Sequence, residues 1–130
     1  MTLSANYPNT PPSGIKLHKK SKTLELIYGD QHYELTAEYL RVHSPSAEVR
    51  GHGVGNGILQ TGKKFVGIES IEPSGRYALK IAFDDGHDSG LYTWAYLHDL
   101  AENHDQHWQS YLDQLSAAGQ SRDNGLIGIG

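Results

Sequence analysis

The segment Phe83–Trp94, FDDGHDSGLYTW, marks the point where the sequence changes from a strand pattern to a helix pattern. Within it, Asp85-Gly86 is a dipeptide typical of a tight turn between antiparallel strands, and Leu91-Tyr92 predicts a brief strand after that turn. From Trp94 onward, apolar residues recur every three or four positions, which is the spacing of a helix. The segment therefore predicts a β-meander that leads directly into a helix.

Upstream of this segment, alternating apolar and polar residues predict four strands. They are residues 23–28, 31–35, 65–71 and 77–83. The first two are separated by Gly29-Asp30, a two-residue turn that predicts a hairpin, and the last two belong to the meander. After the hairpin, Thr36 is the predicted N-cap of a short helix, which must end before Pro45.

The C-terminal part of the sequence carries one apolar helical stripe. Its members are Trp94, Leu97, Ala101, His104, Trp108, Tyr111 and Leu115. The stripe fits one long helix, or two helices broken near Asn103, whose side chain would form a capping pair with Gln106. Because His104 shares the stripe, we expect its ring to be half-buried and neutral.

These patterns predict an α+β domain, in which a small antiparallel sheet made of the hairpin and the meander is covered on one face by C-terminal helices. One domain is expected at residues 15–118, because a chain of 130 residues can build a core without metal or disulfides. The flanking residues 1–14 and 119–130 are rich in Pro, Asn, Ser or Gly and are predicted to be flexible tails.

Composition excludes several classes of function. The chain has no cysteine, which rules out disulfides, thiol catalysis and zinc sites of the thiolate type. Its formal net charge of −4 gives no electrostatic footprint for nucleic acid or anionic lipid. No apolar run approaches the roughly 20 residues that span a bilayer, and the first residues lack the pattern of a signal peptide. We therefore expect a cytoplasmic protein with no nucleic-acid or membrane partner.

Three motifs outside the opening segment have the spacing of ligand sites. Residues 57–64, GILQTGKK, match a phosphate-binding loop, but a lysine replaces the required hydroxyl and a strand pattern follows where a helix is needed. We interpret them as part of a flexible glycine-rich loop. His32 and Glu34 share one face of a strand, as two ligands of a non-haem iron site would, although a solvated strand face is the favoured interpretation. His104 and His107 also have a spacing that suits a metal.

Three blocks of sequence carry a resemblance to a known family. They are YLRVHSPSAE at residues 39–48, GRYAL at residues 75–79, and DGHDSGLYTW at residues 85–94 followed by Leu97. Together they resemble the bacterial stand-alone members of the gamma-butyrobetaine-hydroxylase-like N-terminal domain family, over roughly residues 15–100. Similar modules are fused to 2-oxoglutarate-dependent carnitine-pathway hydroxylases and to P-loop carriers of iron–sulfur clusters. For a stand-alone chain, the resemblance implies no activity.

The resemblance also implies a structural zinc site that this chain has lost. In the hydroxylases the module holds zinc through three cysteines and one histidine, and His87 matches that histidine. The cysteine positions fall at or near Ser44, Ser46 and Val49, none of which supplies a thiolate.

Two arrangements could replace the zinc, beside the simplest interpretation that His87 is an exposed residue in a tight turn. One is a rebuilt zinc or iron site. Its ligands would be His43, His52 and His87, with Asp85 or Asp88. The other, which we favour, uses hydrogen bonds: Arg41 pairs with Asp85 or Asp88 and ties the helix end to the turn. Lys63 is not expected to contribute to this tie.

Aromatic residues beside the turn suggest a docking surface for a protein. Tyr92, Trp94 and Tyr96 lie together, and exposed rings next to Arg41 would suit a partner. Trp94 also belongs to the helical stripe, and its alternative interpretation is a buried core anchor. The predicted binding residues are Arg41, Asp85, His87, Asp88, Tyr92 and Trp94.

The expected function is that of a non-catalytic accessory or protein-interaction module, with an unknown protein partner and no cofactor. The alternative is a zinc- or iron-binding protein linked to iron–sulfur or 2-oxoglutarate-dependent hydroxylase chemistry. Neither interpretation identifies the partner, and the oligomeric state is left open.

Overall fold

A computed structural model describes residues 7–45, 59–88 and 90–123 of the chain. The elements in chain order are β1 (Gly14–His18), β2 (Thr23–Tyr28), β3 (Gln31–Thr36), α1 (Ala37–Val42), β4 (Ile68–Ser74), β5 (Ala78–Phe83), β6 (Gly90–Thr93), α2 (Trp94–Glu102) and α3 (His104–Ala118). This order confirms the α+β class, the short helix after the hairpin and the C-terminal helices. No helix among the described residues is long and apolar enough to cross a membrane.

The described strands form two antiparallel three-stranded sheets, β1-β2-β3 and β4-β5-β6. The hairpin and the meander thus lie in separate sheets rather than in one. Each sheet turns one set of alternating side chains toward a common core, so both sets are buried without any pairing between hairpin and meander. Strand β1 was not predicted, because its Ile15 and Leu17 are only partly buried and give a weak alternation.

Local sequence explains the β2–β3 turn and the start of α1. Gly29 adopts a φ of 63°, the left-handed conformation that a tight β2–β3 turn needs. Thr36 caps α1 as predicted, since its side chain accepts a hydrogen bond from the backbone N–H of Tyr39 at 3.1 Å. The helix ends at Val42, before Pro45.

The core lies between the two sheets and the helices. Its fully buried members include Leu24, Leu26, Leu35, Leu40, Leu79, Ile81, Phe83, Leu97 and Leu100. They come from β2, β3, β5, α1 and α2, so both sheets and two helices depend on one hydrophobic cluster. Burial of these side chains is the main force holding the elements together.

The C-terminal helices are two, with the break at Asn103. The predicted capping pair is wrong, because the Asn103 side chain makes no cap and instead donates to Asp99 Oδ1 at 2.8 Å and to the Tyr7 hydroxyl at 3.1 Å. The break also divides the apolar stripe. Trp94 to Ala101 and Tyr111 to Leu115 hold its buried members, whereas His104 and Trp108 next to the break are partly buried.

Parts of the predicted tails contact the folded body. Asn9 accepts a hydrogen bond from the backbone N–H of Ala95 at 2.8 Å and donates to the Tyr77 carbonyl at 3.3 Å. At the other end, Arg122 donates two hydrogen bonds to the buried Glu38 carboxylate, at 2.8 and 2.7 Å. Residues 7–13 and 119–123 are therefore anchored at these points, and the flexibility of the tails stays a prediction.

Candidate functional site

Two segments meet where α1 ends and β5 turns toward β6. Arg41 lies in the last turn of α1 and Ser44 just beyond it, while Asp85 and His87 lie in the β5–β6 turn. Lys63 reaches the same place from the segment that precedes β4. We call these five residues the polar corner. It contains three of the six residues predicted to form the site.

Asp85 is the common acceptor of the polar corner. Arg41 Nε donates to its Oδ2 at 2.9 Å, and Lys63 Nζ donates to the same oxygen at 2.7 Å. The other oxygen, Oδ1, accepts from the backbone N–H of His87 at 3.1 Å. Of the two acids predicted to pair with Arg41, Asp85 is the partner. The expectation for Lys63 is wrong, because Lys63 shares the carboxylate with Arg41.

These contacts set the charge of Asp85. Burial alone would raise its pKa, but the hydrogen bonds from Lys63, the His87 amide and Arg41 outweigh burial and lower the pKa to about 2. The Arg41 side chain is buried, and its Nη1 has no hydrogen-bond partner among the residues that the structure describes. A buried guanidinium held by one carboxylate contributes to the structure only while that carboxylate stays ionised.

A second contact closes the corner. Ser44 is buried, and its hydroxyl lies 2.9 Å from Nε2 of His87, within hydrogen-bond distance. His87 is partly buried rather than exposed in the turn. Gly90 must lack a side chain here, because a Cβ at this position would lie 2.9 Å from the Ser44 hydroxyl oxygen. The end of α1 and the β5–β6 turn are therefore linked by both an ion pair and a hydroxyl–imidazole contact.

The other two acids of the turn do not join the polar corner. Asp84 Oδ1 accepts from the backbone N–H of Gly67 at 2.9 Å, and the Asp84 N–H donates back to the Gly67 carbonyl. This reciprocal pair fastens the turn to the start of β4. Asp88, a predicted binding residue, is exposed and forms no ion pair with any described residue.

The predicted aromatic docking surface is wrong. Tyr92 and Trp94 are buried, with 0% and 5% of their surface exposed. Their polar atoms are satisfied inside the chain, since the Tyr92 hydroxyl donates to the Leu40 carbonyl and the Trp94 indole N–H donates to the Arg76 carbonyl. These bonds allow both rings to pack in the core. The alternative interpretation of Trp94 as a core anchor is therefore correct.

The predicted metal ligands have partners within the chain. His43 Nδ1 lies 2.8 Å from the Tyr39 carbonyl, and the His43 ring packs against Tyr39, His107 and Tyr111. His52 lies outside the described residues. Within 7–45, 59–88 and 90–123, no group of three potential ligands has a geometry that could hold a metal ion.

The His43 ring is expected to stay neutral well below its ordinary pKa. Burial lowers its pKa to about 4, and the nearby His107 and His104 act in the same direction. The unfolded chain binds this proton near pH 6.5, so the contribution of His43 to stability is present above pH 6.5 and is lost as the pH falls toward 4. NMR titration of its ring protons, assigned with His43→Asn, should give a midpoint near 4. A midpoint near 6.5 would contradict the buried environment.

The other motifs separate into unrelated contacts. His32 Nδ1 lies 2.6 Å from Glu25, whereas Glu34 accepts from the Thr23 hydroxyl at 2.9 Å, so these two residues do not form a common site. Residues 65–67 lead into strand β4 rather than a helix, and residues 57 and 58 of the GILQTGKK motif lie outside the described residues. In α3, His104 and His107 contact different carboxylates. These are Asp105 and Asp99, at 3.0 and 3.2 Å.

A family model described as gamma-butyrobetaine hydroxylase-like, N-terminal, matches residues 15–98. The chain belongs to this family. The match has nearly the extent that the three sequence blocks predicted. No curated protein matches the chain.

Solved structures resemble this gamma-butyrobetaine hydroxylase-like N-terminal chain over most of its length. One NMR solution structure is 60% identical, covers 89% of this chain and 92% of its own, and has a TM-score of 0.79. A second NMR solution structure is 50% identical, covers 94% of this chain and 90% of its own, and has a TM-score of 0.75. The third is a crystal structure of a protein of unknown function from Acidithiobacillus ferrooxidans, which belongs to the DUF971 family. It is 33% identical, covers 73% of this chain and 97% of its own, and has a TM-score of 0.59.

The zinc site implied by the resemblance does not fit this chain. The resemblance places one zinc-binding cysteine at or near Ser44, whose hydroxyl contacts His87, the match to the zinc-binding histidine. A serine hydroxyl keeps its proton at neutral pH, so it cannot replace a thiolate as a zinc ligand. Ser46 and Val49, at the other two positions, lie outside the described residues. The hydroxyl–imidazole contact therefore engages Nε2 of His87, a nitrogen that could otherwise bind a metal ion.

Proposed function

We propose that this member of the gamma-butyrobetaine hydroxylase-like N-terminal family is a non-catalytic accessory module that acts by binding another protein in the cytoplasm. The observation that supports the proposal most directly is the contact between Ser44 and His87. At the place of the implied zinc site, these two side chains contact each other at 2.9 Å. A module that retains this clamp in polar form depends on its shape, as a scaffold or binding surface does.

The chemistry of the polar corner supports the same proposal. A general base must be able to take a proton near neutral pH and must reach the substrate. Asp85 has a pKa lowered to about 2 and already accepts hydrogen bonds from three groups. His87 is engaged with Ser44. The titratable groups of the corner are thus committed to structure rather than arranged for proton transfer.

Metal analysis tests whether the purified protein contains a metal ion and needs one for stability. We expect protein purified without a histidine tag or a chelator to contain less than about a tenth of an equivalent of zinc or iron, and chelators to leave its melting temperature unchanged. Stoichiometric zinc or iron that is lost in His87→Ala would contradict the proposal. It would instead support a metal-binding protein linked to iron–sulfur or 2-oxoglutarate-dependent hydroxylase chemistry.

Reconstitution tests whether the module binds a protein. The untagged chain, immobilised, should retain a cytoplasmic protein that then binds the purified chain with a defined stoichiometry in calorimetry. Arg41 and Trp94 are unsuitable as surface controls, because both side chains are buried. If no retained protein binds the purified chain, the proposed function fails.

A further inference from the structure

Two lysine-rich turns that are distant in sequence meet on the surface. The β1–β2 turn contains Lys19, Lys20 and Lys22, and the segment before β4 contains Lys64 and Phe65. They are joined because Lys22 Nζ donates to the Phe65 carbonyl at 2.9 Å. Lys22 adopts a φ of 58°, uncommon for a residue with a side chain, so its backbone conformation is specific to this turn. We call these five residues the lysine patch.

The charges of the lysine patch are not compensated. All four lysines are exposed, and none forms an ion pair with a residue that the structure describes. Lys63 is not counted in the patch, because it pairs with Asp85. Asp84 and Lys22 both lie beside Gly67, and one oxygen of the Asp84 carboxylate accepts a hydrogen bond from the Gly67 N–H. The patch is therefore strongly positive.

Phe65 gives the patch an apolar centre. Its ring is 69% exposed, the most exposed of the large hydrophobic side chains described, and Lys64 Nζ lies 5.5 Å from the ring centroid. Covering an exposed ring removes apolar surface from water, which is favourable, and aromatic residues are enriched in protein interfaces. The ring offers an apolar contact and the lysines offer charge within one small area.

We propose that the lysine patch binds an acidic segment of a partner protein, which places carboxylates on the lysines and an apolar side chain on Phe65. This deepens the proposed function and rests on it. The four lysines carry positive charge in a chain whose formal net charge is −4, so the rest of the molecule is strongly acidic. A short acidic segment can stay within the patch, whereas a long nucleic acid or an anionic membrane would extend onto a surface of its own sign.

An NMR titration tests this at an ionic strength of about 0.1 M, where charges are screened over roughly 10 Å. The probe is a short synthetic peptide of aspartate and glutamate residues around one phenylalanine. We expect amide shifts at residues 19–22 and 63–67. The double variant Lys20→Glu/Lys64→Glu should weaken binding at least about tenfold, and Phe65→Ala or a probe without phenylalanine should weaken it severalfold. All three substituted side chains are exposed, so the variants should stay folded.

Arg76→Glu is the matched control. Arg76 is exposed in the β4–β5 turn, separated from the patch by the length of β4, which is about 20 Å for a strand of this size. Its reversal should leave affinity within about twofold, because the charge lies beyond the screening length. Equal weakening by Arg76→Glu and the double variant would overturn the proposal, since a general charge effect would explain both.

Two other polyanions, a nucleic acid and an anionic membrane, serve as competing probes. Tighter binding of a single-stranded oligodeoxynucleotide, or of phosphatidylserine vesicles, than of the acidic peptide would overturn the proposal. So would a titration in which the peptide causes no shifts in the patch. If the reconstituted cytoplasmic partner binds the double variant as well as the wild type, the proposed function stands and the patch is not its docking site. If no partner binds at all, the proposed function itself fails.

Discussion

Replacing Trp94 with alanine is expected to lower the free energy of unfolding by about 3–5 kcal/mol, the usual cost of removing a buried large aromatic side chain. The ring is 5% exposed and belongs to the cluster that joins both sheets and α2. The substitution also leaves the Arg76 carbonyl without its indole donor. Urea unfolding followed by far-ultraviolet circular dichroism measures the change, and the melting temperature should fall by about 10 °C or more.

Phe65→Ala is the matched control for this experiment. Its ring is 69% exposed, so its removal should change the free energy of unfolding by no more than about 0.5 kcal/mol. The pair of variants separates a core aromatic from a surface aromatic. Trp94→Ala with wild-type stability and lost partner binding would restore the docking role that burial argues against.

Replacing Arg41 with alanine should have the second largest effect, a loss of about 2–3 kcal/mol and a melting temperature about 6–10 °C lower. The substitution leaves Asp85 partly buried with one fewer cation, and it separates the end of α1 from the β5–β6 turn. The loss falls below that of a fully buried pair, because Lys63 still donates to the carboxylate at 2.7 Å. Differential scanning calorimetry at neutral pH measures it.

Acidic pH should abolish the difference in stability between the wild type and Arg41→Ala. The Asp85 carboxylate has a folded pKa of about 2 against about 3.9 in an unfolded chain, so the stability that it contributes is fully present above pH 4. That stability is lost as the pH falls through about 2. Wild type and Arg41→Ala should therefore converge in stability toward pH 2. Equal differences at pH 7 and pH 2 would show that Arg41 acts through packing alone.

Two further variants calibrate this result. Lys63→Ala should cost about 1 kcal/mol, because one of the two cations on Asp85 remains. Arg76→Ala, at an exposed position, should be close to neutral. If all three substitutions had the same effect, the polar corner would not be the clamp that its distances suggest.

The local elements of the fold were predictable because their causes are local. Gly29, Thr36 and Asp85-Gly86 each impose a turn or a cap through their own backbone or side-chain chemistry. The change of period at Trp94 predicted α2 at its correct start. Strand β1 was missed because its stability comes from pairing with β2 rather than from its own pattern.

The candidate site was predictable only in part. The resemblance pointed to His87 and Ser44, and charge complementarity pointed to Arg41 with Asp85 or Asp88, of which the structure selects Asp85. No local signal could show that Lys63 shares Asp85, since the two residues are 22 positions apart. The lysine patch was not predicted, because net charge averages over the chain and hides a local cluster.

The sequence by itself determined the α+β class, most of the strands and helices, the family and the absence of thiolate ligands, because these follow from periodicity, short motifs and composition. Only the tertiary structure decided that the meander and the hairpin form two sheets, that Tyr92 and Trp94 are buried, and that the two lysine turns meet. The physical reason is the distance along the chain over which each interaction acts. Turns, caps and periods act over a few residues, whereas burial and charge clustering depend on which distant segments the common core brings together.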